Sequence, residues 1–407
     1  MLSYSPTPAD ALHERTSRRD FLRTAIASGA LLGTTPLVVP ADRADDQGAL
    51  PAGKRLILRS ATPLNAEPAL EQLATEWITP LESFYVRTHG PIPRLDGGEF
   101  RLSIEGMVER PLELPVAELS ERFPSQDITA TLTCAGNRRN EFRGPKISGV
   151  PWGAGAIGNA RWTGVNLSHL LRHAGVRPEA RHVWFEGADQ ITDKNEQYPF
   201  GGSVSLETAL TEKQHPGVLL ATRMNDRPLT PEHGFPLRSV VPGMIGARSV
   251  KWLRRIVVSD RPSPNHYQAL AYKLITEETP AALAAAEPLS HFVVNSVICV
   301  PTAGAAVGDG RLTVRGFALP SGGSPMGLRR IELSPDEGAT WTEATIVSPQ
   351  RESCWVLWSV QLTVPANTQR LLVRATDATG QTQPRDMPWN AKGYQYNAWH
   401  HLPLKSS

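Results

Sequence analysis

The chain has 407 residues, 40% of them hydrophobic and 20% charged. That supplies apolar material for more than one core and excludes a solvated tail or a fibre. A formal net charge of +2 excludes whole-molecule attraction to nucleic acid or a membrane surface, so anion recognition has to come from locally clustered arginines.

In chain order, the first segment is Ser17-Arg18-Arg19-Asp20-Phe21-Leu22-Arg23, followed by a weakly hydrophobic run from Thr24 to Val39 that ends in Pro40-Ala41. Gly, Thr and Pro interrupt the run, which argues against a membrane span of about 20 apolar residues. The pattern resembles a twin-arginine export signal occupying 1–41, with cleavage near Ala41 and a soluble, periplasmic mature protein without a membrane span. The alternative is a basic N-terminal membrane anchor.

From about 42 to 286, short apolar runs alternate with Gly/Pro-rich turns and helical patches at Leu167 to His173 and Leu206 to Leu210, an α+β pattern. Beyond 287 the character changes. Val293 to Val300, Arg311 to Ala318, Arg329 to Leu333, Val356 to Val364 and Arg370 to Ala375 alternate or are β-branched, and turns such as Ser321-Gly322-Gly323 and Asp336-Glu337-Gly338 separate them. This spacing predicts an all-β immunoglobulin-like sandwich over 287–407. Trp341, Trp355 and Trp358 are expected to fill that sandwich or an interface. No internal repeat is present.

Three cysteines, Cys134, Cys299 and Cys354, exclude a dense disulfide framework, and the absence of Cys-x-x-Cys-His excludes c-type haem attachment. Cys299 and Cys354 could pair in an oxidising compartment, which leaves Cys134 as the odd thiol.

Chemistry concentrates at Thr131-Leu132-Thr133-Cys134-Ala135-Gly136-Asn137-Arg138-Arg139-Asn140. A β-type run ends in a cysteine, Ala-Gly keeps the following turn small, and two adjacent arginines favour the thiolate, the metal-binding form. A lone strand-end cysteine is commonly a small buried hydrophobe. Two cations beside such a site are costly without an anionic partner, which tilts the reading toward an anion.

The Cys-Ala-Gly-Asn-Arg-Arg loop resembles the molybdenum-ligand loop of the sulfite oxidase family. Further similar blocks follow in the family's order: Phe84 to Pro93, Gly153 to Gly164, Phe185-Glu186-Gly187-Ala188-Asp189, His233-Gly234-Phe235-Pro236-Leu237-Arg238, and Gly246 to Trp252. The resemblance implies a molybdenum–molybdopterin cofactor (Moco) whose one protein metal ligand is Cys134. Arg87 and Arg139 hold a sulfite oxyanion, and Trp152 walls that pocket. Tyr85, His89, Asp189, His233, Arg238, Ser249 and Lys251 fall where the family contacts the pterin and its phosphate, and their types suit it: cations donate to phosphate, and Asp accepts from pterin N–H groups. Taken alone, Asp189 could cap a turn, and Arg248 with Lys251 could form a solvated face.

The implied reaction is two-electron oxidation of sulfite to sulfate. Electrons then leave to an external acceptor such as a c-type cytochrome, and the sandwich forms a homodimer interface. Two departures put the substrate in doubt. The family's second catalytic tyrosine is expected a dozen or so residues past a Tyr-Lys pair, here Tyr272-Lys273, yet Thr276 to Ala286 is Ala/Glu-rich and has no tyrosine. Lys392, in Trp389-Asn390-Ala391-Lys392-Gly393, stands where the family carries arginine and loses the planar fork that grips an oxyanion. A sulfane-sulfur dehydrogenase subunit or another oxidoreductase with the same cofactor remains open within this chemistry. From another class, so does a non-catalytic exported anion-binding protein in which Cys134 is structural.

Overall fold

The computed structural model describes residues 50–405 apart from 194–195, 213–215, 308–309 and 325–326. The twin-arginine segment lies outside the described residues. No helix among those described is long and apolar enough to cross a membrane.

The helical patches form where the sequence places them. Leu167–Ala174 starts at Asn166, whose side chain accepts from Ser168 N at 2.9 Å, and ends at Gly175 with φ 72°. Leu167, Leu170, Leu171 and Ala174 recur at helical spacing and are all buried, so one apolar stripe docks the helix while its two caps satisfy end groups.

Two five-stranded sheets carry the first two-thirds of the chain. In one, Gly201–Ser205, His182–Gly187, Leu253–Ser259, Arg101–Gly106 and Leu112–Pro115 lie side by side, and only the pairing of Leu253–Ser259 with Arg101–Gly106 is parallel. In the other, Ser125–Thr133 pairs along its whole length with Ile157–Asn166, which continues to Leu219–Met224 and then to Arg227–Pro228 and Arg238–Val240. A small sheet of Ile57–Ser60, Asn65–Glu67 and Val86–Arg87 completes this region.

The remaining third is a two-sheet β sandwich. Asn295–Val300, Arg311–Leu319, Val356–Thr363 and Thr345–Ile346 form one sheet; Ala305–Ala306, His400–Lys405, Arg370–Asp377, Leu328–Ser334 and Thr342–Glu343 form the other. The overall class is therefore α+β, a mixed domain followed by an all-β one. The C-terminal strand His400–Lys405, which sequence analysis did not identify, pairs with Arg370–Asp377.

The first sandwich sheet is apolar on both faces. Ile298, Val314, Ala318, Val356 and Trp358 face the sandwich core, whereas Val297, Cys299, Phe317, Leu319, Trp355 and Leu357 belong to the core of the preceding domain. Side chains alternate across a strand, so a sheet covered on both sides reads as a nearly continuous apolar run. The tryptophans divide accordingly. Trp358 fills the sandwich, and Trp355 fills the junction, where it exchanges indole-to-carbonyl hydrogen bonds with Trp77 at 2.9 and 3.0 Å. Trp341 is only partly buried and packs on Trp399 and the Arg374 guanidinium. Cys299 and Cys354 are both buried and unpaired, so the disulfide left open by sequence is not formed.

Candidate cofactor site

Cys134 follows the last residue of Ser125–Thr133, and the turn after it is fixed by backbone bonds to the Gly153–Ala156 segment. Cys134 N donates to Ala156 O at 2.9 Å, Arg138 N to Gly153 O at 2.7 Å, and Ala156 N to the Asn137 side chain at 2.9 Å. The opposite face of that segment is anchored by Glu67, whose carboxylate accepts from Gly153 N at 2.7 Å and Gly155 N at 3.0 Å. The cysteine loop is thus a clamped turn, and the small residues of 153–156 are required by this close approach: a Cβ on Gly155 would lie 2.7 Å from Pro68 O.

The two loop arginines diverge. Arg138, at φ 65° and wholly buried, grips Glu141 with two bonds of 2.8 and 2.7 Å and donates to Asn295 Oδ1 at 2.7 Å and Ala398 O at 2.8 Å. It joins the cysteine loop to the sandwich, and its donors are committed there, not to the thiol. Arg139 donates to the carbonyls of Val150, Lys392 and Gly393 and lies over the Tyr394 ring.

One cavity gathers nine of the expected residues: Tyr85, Arg87, His89, Cys134, Asp189, His233, Arg238, Ser249 and Lys251. The strands explain the convergence. Gly187 and Leu253 are register partners, so Asp189 and Lys251 emerge at one end of the first sheet; Arg238 and Cys134 lie at strand ends of the second. Arg139 and Trp152 do not line this cavity. Trp152 packs in the same apolar cluster as Cys134 and Tyr85, fully buried, with an indole Nε1 that meets no acceptor among the described residues.

Arg87, Arg238 and Lys251 outnumber the carboxylates Asp189 and Glu232 at the cavity. Among the described residues, none of Arg87, Arg238 and Lys251 has a carboxylate within ion-pair distance. Arg238 donates to the carbonyls of His233 and Ser249 at 2.9 and 3.2 Å, and Lys251 to Glu232 O at 2.9 Å. Burial pulls Arg238 down to about 10 and, joined by the nearby Arg238 charge, pulls Lys251 down to about 7. Burial and the surrounding cations hold His89 and His233 well below their usual value, so both are neutral. Burial raises Asp189 to about 6, against the hydrogen bond from Phe200 N. Arg248 and Lys251 are therefore not a solvated face: Arg248 is 1% exposed and holds Leu289 O, and Lys251 lines the cavity.

Tyr272, to which the sequence assigned no role, lines the same cavity. Its hydroxyl lies 2.8 Å from His89 Nε2, its ring stacks on Tyr394 at 5.3 Å, and burial raises its pKa, so it keeps its proton. The signal was present in the Tyr272-Lys273 pair itself. Residues 280–285 form the helix Pro280–Ala285, capped by Thr279. Glu232, which carried no motif signal in the sequence, lines the cavity as well. Lys392 forms a 2.7 Å ion pair with Glu278.

A molybdenum–pterin group fits these residues. Among the described residues no three His, Cys, Asp or Glu side chains are placed to hold a bare metal ion, so a metal at the single Cys134 sulfur requires ligands brought by a cofactor. The unpaired cations suit the cofactor's phosphate, Asp189 can accept from pterin N–H groups, and a Cβ on Gly246 would come within 3.0 Å of Tyr85 Oη at the cavity wall.

The unpaired lysine has a measurable consequence. A base whose folded pKa lies near 7 and whose unfolded value is 10.5 binds fewer protons folded than unfolded between those limits. Cofactor-free protein should therefore gain stability as pH rises from about 7 toward 10. Thermal unfolding of the cofactor-free wild type and of Lys251→Met, between pH 7 and 9, should show the upward slope only with the lysine present.

Comparison with known proteins agrees with this geometry. Residues 89–267 match the oxidoreductase molybdopterin binding domain and residues 287–407 the Mo-co oxidoreductase dimerisation domain. The chain is 40% identical over 359 residues to the sulfite oxidase of Gallus gallus, covering 85% of this chain and 77% of that protein. It is 34% identical to a Solanum lycopersicum nitrate reductase, of which it covers 40%. The crystal structure of the sulfane dehydrogenase SoxCD from Paracoccus pantotrophus matches with a TM-score of 0.74 at 27% identity, covering 93% of this chain and 96% of that one. The chain belongs to the sulfite oxidase family of molybdopterin oxidoreductases and is a molybdopterin-dependent enzyme.

Proposed function

We propose that this enzyme oxidises sulfite to sulfate and passes the electrons singly to an external acceptor, a c-type cytochrome. The carrying observation is that Arg87 and Cys134 line one cavity whose cations Arg87, Arg238 and Lys251, among the described residues, lack carboxylate partners. The likeness to sulfite oxidases supports the substrate. The non-catalytic binding-protein alternative is set aside by membership in an enzyme family.

In this reading the Cys134 sulfur is the protein ligand to molybdenum, a soft donor suited to a sulfur-rich coordination sphere. When bound, the cofactor supplies the two-electron oxygen-atom transfer. Arg238, Lys251 and His233 hold its phosphate, Asp189 and Tyr85 the pterin ring system, and Ser249 stiffens the wall by accepting from Val241 N at 3.0 Å. Arg87, steadied by Asn65 Oδ1 at 3.1 Å, attracts the oxyanion, and Arg139, outside the cavity lining, ties the cysteine loop to the Val150, Lys392 and Gly393 carbonyls. Tyr272 and His89 present a protonated phenol and a neutral imidazole at the cavity. Phe84, Phe200 and Trp252 exclude water there, which strengthens every charge contact.

Replacing Arg87 by Ala is expected to raise KM for sulfite and to lower kcat/KM by about 10²-fold, equivalent to about 3 kcal/mol of lost transition-state stabilisation. Steady-state turnover with sulfite and ferricytochrome c measures this, and unchanged kcat/KM would refute the assignment. A second reading, sulfane-sulfur oxidation, is favoured by the Glu278–Lys392 pair, which neutralises a cation at a position where the family carries arginine, and by the likeness to SoxCD. Faster turnover of a sulfane-sulfur substrate than of sulfite in the same assay would select it.

We also propose a homodimer built on the 287–407 sandwich, supported by its match to a dimerisation domain. The Ser17-Arg18-Arg19-Asp20-Phe21 motif supports export in the folded state to the periplasm, since this cofactor must be inserted before the chain leaves the cytoplasm.

A further inference from the structure

Lys54 lies outside every block that resembles the family, and the cofactor reading leaves it without a role. Its side chain is nevertheless only 5% exposed. Its ammonium has three N–H donors and no acceptor capacity. Three acceptors surround it: Leu81 O at 2.6 Å, His233 Nε2 at 2.7 Å and Glu232 Oε1 at 2.9 Å.

These contacts decide the protonation of the histidine. An ammonium can only donate, so His233 Nε2 has to be the bare nitrogen, and the neutral ring carries its proton on Nδ1. Glu232 opposes the burial that lowers Lys54 and so favours the donor form. The His233 ring lines the cavity, packed edge-on to Phe84 at 5.5 Å. Among the described residues Nδ1 has no protein partner, and it is not a fully enclosed atom.

We propose that Lys54 is a positioning residue of the cofactor site: by occupying His233 Nε2 it presents the Nδ1–H as a donor to a phosphate-bearing occupant. The same ammonium ties together three separate stretches of chain. Lys54 itself belongs to the segment before the first strand, with Arg55 N donating to Glu82 O at 2.8 Å. Leu81 opens the turn leading to Tyr85 and Arg87, and Glu232-His233 closes the turn leading to Arg238. Without the ammonium, Glu232 becomes an unpaired carboxylate beside a phosphate, and His233 is free to turn its proton toward that carboxylate.

The test has two parts, neither of which measures turnover. Nitrogen-15 spectra of the holoenzyme, with the His233 signals assigned through His233→Asn, are expected to show Nδ1 protonated and Nε2 bare in the wild type. Lys54→Met, similar in length and uncharged, is expected to retain about 10-fold less molybdenum and pterin than wild type after extended dialysis, whereas Lys54→Arg restores most of the retention. A wild-type ring protonated on Nε2 overturns the proposal, and so does wild-type retention in Lys54→Met. The wild-type spectrum needs no variant and stands even if Lys54→Met does not fold.

Discussion

Cys134→Ser is expected to lower sulfite turnover by roughly 10³-fold or more, about 4 kcal/mol in activation free energy, while the pterin stays bound. A hydroxyl is a hard and weakly acidic donor where the site calls for a soft thiolate. The rest of the cavity, above all Arg238, Lys251 and Asp189, is untouched by the exchange and, in the proposed reading, should still hold phosphate and ring. The variant should fold normally, because the turn around residue 134 is fixed by main-chain bonds such as Cys134 N to Ala156 O. Molybdenum by mass spectrometry, pterin by fluorescence after oxidation, and steady-state turnover are the three readings. Full metal content together with full turnover would show that the sulfur is not the ligand.

Arg138→Met should be the most destabilising single change near the site, costing about 3–5 kcal/mol. It removes a wholly buried guanidinium, leaves Glu141 without its ion-pair partner, and leaves Asn295 Oδ1 and the Ala398 carbonyl with the Gln383 amide as donor. The loss is readable in the acid limb of stability. Burial alone would push the Glu141 carboxyl up, and Arg138 more than reverses this, holding it below its ordinary 4.5. A depressed carboxyl contributes stability that is present above its unfolded pKa and lost as pH falls through its folded pKa. The wild type should therefore weaken as pH falls below about 4.5. In Arg138→Met the carboxyl, 28% exposed, loses its guanidinium counter-charge, its pKa rises, and its contribution to the acid slope is lost. Calorimetric unfolding between pH 3 and 7 distinguishes the two; parallel curves would mean that Arg138 does not govern Glu141.

Residue patterns determined the α+β order of the chain, the helices near 167 and 206 and most strands of the sandwich, and the family resemblance of its motifs singled out nine residues that converge on one cavity. These are local or pairwise properties: caps, periodicity, turn chemistry, and side-chain types matched to a phosphate, a pterin and a metal. Arg138 and Arg139 adjoin in sequence but do opposite things, because the left-handed backbone at Arg138 turns one side chain into the sandwich junction and the next toward the Tyr394 ring. No spacing rule could distinguish them. Tyr272 was visible as a letter, but its closeness to His89 depends on how the Tyr267–Ala271 turn packs against Phe200. Lys54 is the extreme case. It lies 178 positions before Glu232 and 179 before His233, in a stretch with no motif, and only the packing of three distant segments makes its charge part of the site. Sequence carries information about what each residue can bond; folding decides which of those bonds share one water-excluded space, where an unpaired charge or a single tautomer has consequences.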